Sequence, residues 1–292
     1  MLLWVPNFSE GRSERIVDAL AATLKAHARL LNVHFDAEHN RSVFTLCGQP
    51  ESLGASALAG AEHAVELIDL RGHQGLHPHV GALDVCPFVF ITDDGREAAQ
   101  GAALEAAEAI AALEIPVFLY GELASSEERR ERAFFRRGGP AELARRMKEG
   151  EIAPDMGPAE PHPSAGATLI TARPPLVAFN LELDTDDLEI ARAVAAQLRE
   201  SGGGLAGVRA IGIALADRAQ VSTNVHDPIA VPLGIVIERA RELAGAHGAA
   251  LVAGEVVGLV PAAALRELPE DLLLGGFDPE RQVIERRLGP DR

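Results

Sequence analysis

Gly72-His73-Gln74-Gly75-Leu76-His77-Pro78-His79-Val80-Gly81-Ala82-Leu83-Asp84-Val85-Cys86-Pro87 is the stretch around which the chain reads most clearly. Three histidines, three glycines, two prolines and one aspartate fall within sixteen residues. An apolar run, Val65 to Leu70, precedes it, and another, Val85 to Ile91, follows. This predicts a sharply bending polar loop that feeds a buried strand. Pro78 pushes His77 into extended geometry, so its imidazole is presented from a stiffened backbone. Gly75 and Gly81 permit close approach of a ligand or of another backbone. Imidazoles and a carboxylate at the mouth of a strand suit a functional site, although histidines that merely solvate a loop give the same pattern.

Outward from this loop, the order of elements repeats. On the N-terminal side, Leu2 to Val5 reads as a strand and Ser13 to about Ala28 as a helix with Ile16, Leu20 and Leu24 at helical spacing. Leu30 to Phe35 and Val43 to Cys47 read as strands. A second helix starts at Pro50, and Val85 to Ile91 is a fourth strand. The second half reads the same way. It has a strand at Leu176 to Asn180, a helix at Asp186 to Glu200 with Thr185 as N-cap, and a hairpin of Val208 to Ala214 and Ala219 to Asn224. A helix at Leu233 to Ala246 and a strand at Leu251 to Val260 complete it. Strand, helix, strand, strand, helix, strand is the order of a ferredoxin-like module. The expected fold is α/β (α+β), with two ferredoxin-like βαββαβ subdomains, residues 1–174 and 175–292, divided at Pro174-Pro175. Between the repeats, an alanine-rich helix runs from Glu97 to Leu113 and a strand from Val117 to Tyr120.

Composition narrows the chemistry. A net charge of -16 over 292 residues repels nucleic acid and anionic membrane. An anionic substrate then needs a local basic patch. Arg129, Arg130, Arg132, Arg136 and Arg137 make the one clear basic segment, which reads either as a solvated helix face or as a collar for a carboxylate-bearing ligand. Lys25 and Lys148 are the two lysines, which argues against Schiff-base chemistry, and no phosphate-binding P-loop is present. Cys47 and Cys86 sit in apolar runs and read as buried reduced thiols. No run approaches transmembrane length, so a cytoplasmic enzyme is expected.

His77-Pro78-x-x-Gly81-Ala82-Leu83-Asp84-Val85-Cys86-Pro87-Phe88 resembles the signature of the glutamate formiminotransferases. Val5-Pro6-Asn7-Phe8-Ser9-Glu10-Gly11-Arg12, Asn40-Arg41-Ser42-Val43, Leu119-Tyr120-Gly121-Glu122 and Ala153-Pro154-Asp155-x-Gly157-Pro158 are similar to other stretches of that family. So are Gly166-Ala167-Thr168, Ala178-Phe179-Asn180, Ala219 to Asn224 and Val257-Gly258-Leu259-Val260-Pro261. The matches run in order from residue 5 to about 261.

The resemblance implies two subdomains with the substrate cleft between them. It also implies transfer of a formimino group from N-formimino-L-glutamate to N5 of tetrahydrofolate. Tetrahydrofolate would be a co-substrate, no metal would be needed, and a homodimer is expected. His77 matches the family's catalytic histidine, and Asp36 a nearby aspartate that would orient it. The proline-rich stretch Gly157, Pro158, Ala159, Glu160, Pro161, His162, Pro163, Ser164, Ala165 and Gly166 matches the folate-contacting loop, with Ala165 in place of a family tryptophan. Asn40, Arg41, His73 and His79 are candidate substrate contacts, and Gln220, Ser222 and Asn224 would face the cleft on alternate strand positions. His79 and Gln74 stand where the family carries basic residues, which leaves a formyl-glutamate or related donor open. A monofunctional enzyme is expected, because residue 292 precedes any cyclodeaminase region. Two rival readings remain. One is a metal-dependent amidohydrolase using His73, His77, His79 and Asp84, whose spacing fits no standard zinc motif. The other is a non-catalytic folate-binding protein.

Overall fold

A computed structural model describes residues 1–289. Within it the chain forms two compact units, Met1–Pro174 and Pro175 onward.

In the first unit the strands are β1 (Leu2–Trp4), β2 (Asn7–Phe8), β3 (Arg29–Asp36), β4 (Arg41–Gly48), β5 (Leu83–Val89), β6 (Val117–Leu119) and β7 (Thr168–Arg173). The helices are α1 (Glu14–Lys25), α2 (Pro50–Leu67), α3 (Arg96–Ala111), α4 (Arg132–Arg136) and α5 (Gly139–Lys148). β1 and β2 each pair antiparallel with β4 on one side and β5 on the other, and β3 pairs with β4. The sheet order is therefore β5, β1 with β2, β4, β3, the ferredoxin-like arrangement. Beyond β5 the sheet continues with β7 and β6, both parallel to it. Helical periodicity accounts for the layer above it. Val17, Leu20 and Leu24 of α1 are buried, as are the alanines of α2 and α3 at 57, 61, 64, 99, 102, 103, 106 and 107. Small side chains let α2 and α3 pack closely. The charge-dense segment from Ser125 to Lys148 is broken into short pieces, with Gly138 and Gly139 at positive φ where α5 begins.

The second unit contains β8 (Val177–Leu183), α6 (Leu188–Leu198), β9 (Val208–Ala214), β10 (Ala219–Val225), α7 (Leu233–Ala246), β11 (Leu251–Val257), β12 (Leu273–Leu274), α8 (Pro279–Gln282) and α9 (Ile284–Leu288). The order β11, β8, β10, β9 is again ferredoxin-like and antiparallel, and β12 adds in parallel beside β11. The helix expected from Asp186 begins later. Asp187, not Thr185, caps it, its side chain accepting from the Glu189 N–H at 2.9 Å, while Thr185 Oγ1 accepts from the Asp187 N–H. A carboxylate at this end also favours the helix dipole.

Both cysteines are buried and free. The Trp4 indole N–H donates to Cys86 Sγ at 3.1 Å, and burial pushes the Cys86 thiol up to about 12, so it stays protonated. No helix among the described residues is long and apolar enough to cross a membrane.

Candidate active site

The loop between α2 and β5 is pinned by backbone contacts. The Ser9 N–H donates to the Ala82 carbonyl, Ser9 Oγ to the Gly81 carbonyl and the Ala167 N–H to the Val80 carbonyl. A side chain at Gly81 would place its first carbon 1.8 Å from the Ala167 carbonyl oxygen, and one at Gly75 would lie 2.5 Å from that of His39. Both glycines are thus needed for the approach of neighbouring backbone. Asp84, at the start of β5, closes the loop: its Oδ1 accepts from the Val80 N–H at 2.8 Å.

Asp84 is completely buried. Its Oδ2 accepts from Arg41 Nη1 at 2.8 Å and from Arg136 Nη2. Burial alone would raise its pKa. The two guanidiniums and the Val80 N–H outweigh that and hold it far below the usual carboxylate range. Arg41 also donates from Nε and Nη2 to Asn7 Oδ1, at 3.1 and 2.9 Å. The candidate substrate contact Arg41 is therefore bound into a network that joins β2, β4, β5 and α4.

The half-buried His77 lies beside this network. Its Nδ1 sits 2.8 Å from the Pro78 carbonyl. A carbonyl only accepts, so the proton resides on Nδ1 and Nε2 carries the free lone pair. Burial, with Arg41 and Arg136 adding repulsion, pushes the His77 pKa well below the ordinary histidine value. The resting imidazole is neutral.

Asp36 was expected to orient His77. Its Oδ1 instead accepts from His39, from the backbone N–H at 2.6 Å and from Nδ1 at 2.8 Å, which lowers Asp36 to about 2. The His39 ring stands between carboxylate and loop, 6.3 Å centre to centre from His77. Sequence reading missed His39. Its spacing of three residues from Asp36 on a tight β3–β4 turn was the available signal. Asn40 holds the turn at φ 47°: its Oδ1 accepts from the Gly11 N–H, and its Nδ2 donates to the Gln74 carbonyl and to His73 Nδ1. His73 and His79 meet edge to face at 4.3 Å. Burial lowers His73 to about 4 and depresses His79 as well, so both are neutral.

The segment from Gly157 to Gly166 folds against the histidine loop. Gly81 and Gly166 form a bridge, and the Ala82 N–H donates to the Ala165 carbonyl at 2.8 Å. His162 closes the segment on itself by paired backbone bonds to Gly166, and its Nδ1 accepts from the Ala165 N–H. In the second unit, Gln220, Ser222 and Asn224 share one sheet face, with Ser222 opposite Asn180 and Asn180 opposite Glu255. The Asn180 amide donates to Glu255 at 3.0 Å, and Gln220 is buried. Among the described residues no three His, Cys, Asp or Glu side chains converge as a metal site, and Asp84 is committed to arginines.

Fold and geometry define a protein of two ferredoxin-like units, one of which presents a neutral imidazole with a fixed tautomer amid buried arginines. The formiminotransferase domain, N-terminal subdomain, matches residues 1–173, and the formiminotransferase domain matches residues 178–270. The chain is 41% identical to a glutamate formimidoyltransferase of Streptococcus pyogenes serotype M1 over 97% of each chain. It is 37% identical to one of Thermoplasma acidophilum, covering 97% of this chain and 96% of that one. A formimidoyltransferase-cyclodeaminase of Rattus norvegicus is 39% identical over 98% of this chain, which spans 56% of that longer protein. The chain belongs to the formiminotransferase family.

Proposed function

We infer that this chain is a glutamate formimidoyltransferase, moving the formimino group from N-formimino-L-glutamate to N5 of tetrahydrofolate and releasing L-glutamate. The near full-length similarity to two glutamate formimidoyltransferases carries this reading.

His77 is the proposed proton carrier. As N5 attacks the amidine carbon, Nε2 takes the N5 proton. As the carbon–glutamate nitrogen bond breaks, the same proton passes to the departing amine, so the imidazole is regenerated. The neutral tautomer held by Pro78 supports this role, because the base needs no prior deprotonation. Asp36 acts at one remove, through His39. The proposed folate-binding segment is Gly157 to Gly166, whose second half is closed by paired backbone bonds between His162 and Gly166. Asn40, His73, His79, Gln220, Ser222 and Asn224 remain proposed substrate contacts. We further propose that the units Met1–Pro174 and Pro175 onward are the two formiminotransferase subdomains, and that the enzyme works in the cytoplasm as a homodimer. Two buried reduced thiols are compatible with that compartment.

The test is a turnover assay with tetrahydrofolate and N-formimino-L-glutamate. Wild-type protein should form 5-formiminotetrahydrofolate, and His77→Ala should lose ~10²–10⁴-fold in kcat. Wild-type protein inactive with formimino and formyl donors alike refutes the reading.

A further inference from the structure

The β3–β4 turn, Asp36 to Asn40, is wedged between two loops. On one side, Arg12 Nε donates to the Ala37 carbonyl at 2.9 Å. Gly11 comes so close there that a side chain on it would place its first carbon 2.3 Å from the Asp36 carbonyl oxygen. On the other side, the Leu76 N–H donates to the Glu38 carbonyl at 3.2 Å. Asn40 joins both sides, through the Gly11 N–H and the Gln74 carbonyl. Gln74, Gly75 and Leu76, the three residues before His77, therefore all rest on this turn.

His39 is the side chain of this turn that meets His77. One oxygen of Asp36 holds it twice, accepting from its backbone N–H at 2.6 Å and from its ring Nδ1 at 2.8 Å. The first bond fixes where the side chain starts, and the second fixes how the ring is turned. His39 is 8% exposed, and its Nε2 is shielded from solvent, which suits a supporting ring and not one that touches substrate. Its ring centre lies 6.3 Å from that of His77, with the planes 58° apart, within the spacing of packed aromatic pairs. Among the described residues His77 shows no comparable tether. Its Nδ1 bonds to the carbonyl of the next residue, Pro78, which fixes the tautomer but leaves the direction of the ring to its neighbours.

We propose that His39, held by Asp36, is a positioning residue for His77, and that its ring fixes the direction in which His77 Nε2 points. This rests on the transferase reading above, in which Nε2 takes the N5 proton. A proton carrier works only within hydrogen-bond reach of the reacting nitrogen, and a displacement of about 1 Å can cost ~10²-fold in rate. A ring tied to a carboxylate on a clamped turn gives the rigid support that such a group needs. In this role His39 exchanges no proton.

Two measurements on the intact chain test this. NMR of histidine-labelled protein reads the packing without turnover. Wild type should show a nuclear Overhauser effect between the ring protons of His39 and His77, and His39→Ala should shift and broaden the His77 ring signals. His77 signals that do not move overturn the proposal, whatever the transferase assay shows. Turnover reads the consequence. His39→Ala should lower kcat by ~10-fold or more, with KM for both substrates changed far less. Asp36→Ala, which releases the same ring, should act in the same direction. His39→Phe keeps a ring there without a nitrogen and should recover most of the loss. His39→Phe no better than His39→Ala would make His39 a proton carrier and overturns the positioning role. So does folded His39→Ala with kcat within about twofold of wild type. Thermal melting checks that the variants fold; should His39→Ala fail, His39→Leu, which fills the space without a ring, takes its place. Wild-type protein that shows the ring contact but transfers nothing refutes the transferase reading and not the contact.

Discussion

His77 carries the sharpest prediction at the scale of a residue. Its lowered pKa means that the neutral base persists into mildly acid solution. The acid limb of kcat/KM should therefore fall below ~6.5, the ordinary histidine value. A pH–rate profile with its acid limb at or above that value contradicts the assignment. The same residues set a stability trend. His73, His77 and His79 all have folded pKa values below the unfolded one, so the unfolded chain binds more protons as pH drops through ~6.5. Stability should then rise with pH across that range and weaken below it. Thermal melts at pH 7.5 and pH 5 should show the lower midpoint at pH 5. Asp36 has the same sign at lower pH: its stabilisation is present above the ordinary carboxylate pKa and is lost as pH falls towards about 2.

Asp84 is what fastens elements together. It bonds to Val80 in the loop, Arg41 on β4 and Arg136 on α4, and Arg41 reaches on to Asn7 on β2. Removing the carboxylate leaves two buried guanidiniums and a backbone N–H without their partner. Asp84→Ala should therefore cost ~3–5 kcal/mol in urea unfolding, the range for breaking a buried pair from one side. A loss under ~1 kcal/mol would mean that water or another group replaces it readily. Turnover should fall too, because the loop that presents His77 loses its closure. From the sequence, Asp84 read as a carboxylate at the mouth of a strand, and the structure gives it its partners. Arg136 read only as one of several charges on a segment, because nothing local records which of five arginines points inward.

For the whole molecule, ligand linkage gives the test. A folate that binds only the folded chain stabilises it by ~2.7 kcal/mol at a hundred times its Kd. Saturating 5-formyltetrahydrofolate, a stable analogue of the proposed product, should raise the thermal midpoint. An unchanged midpoint would count against folate binding through Gly157 to Gly166. Against a net charge of -16, Arg41 and Arg136 place positive charge beside His77.

The sequence by itself determined the repeated ferredoxin-like order, the division at Pro174-Pro175 and the loop that presents His77. Those features follow from local rules: hydrophobic period, turn residues and the restriction that proline places on its neighbour. It also carried an ordered set of family motifs. Tertiary structure decided the pairings. β6 and β7 joined the first sheet through long-range contacts that leave no periodic trace. Asp36 went to His39 because the β3–β4 turn brings them together, which spacing alone did not reveal. Gly75 and Gly81 read as points of close approach, but only the fold showed that backbone, not ligand, fills the space. Which arginine of the basic segment pairs with Asp84 is set by the approach of α4 to β5. Charge pairing is a property of distance in space, and distance along the chain does not encode it.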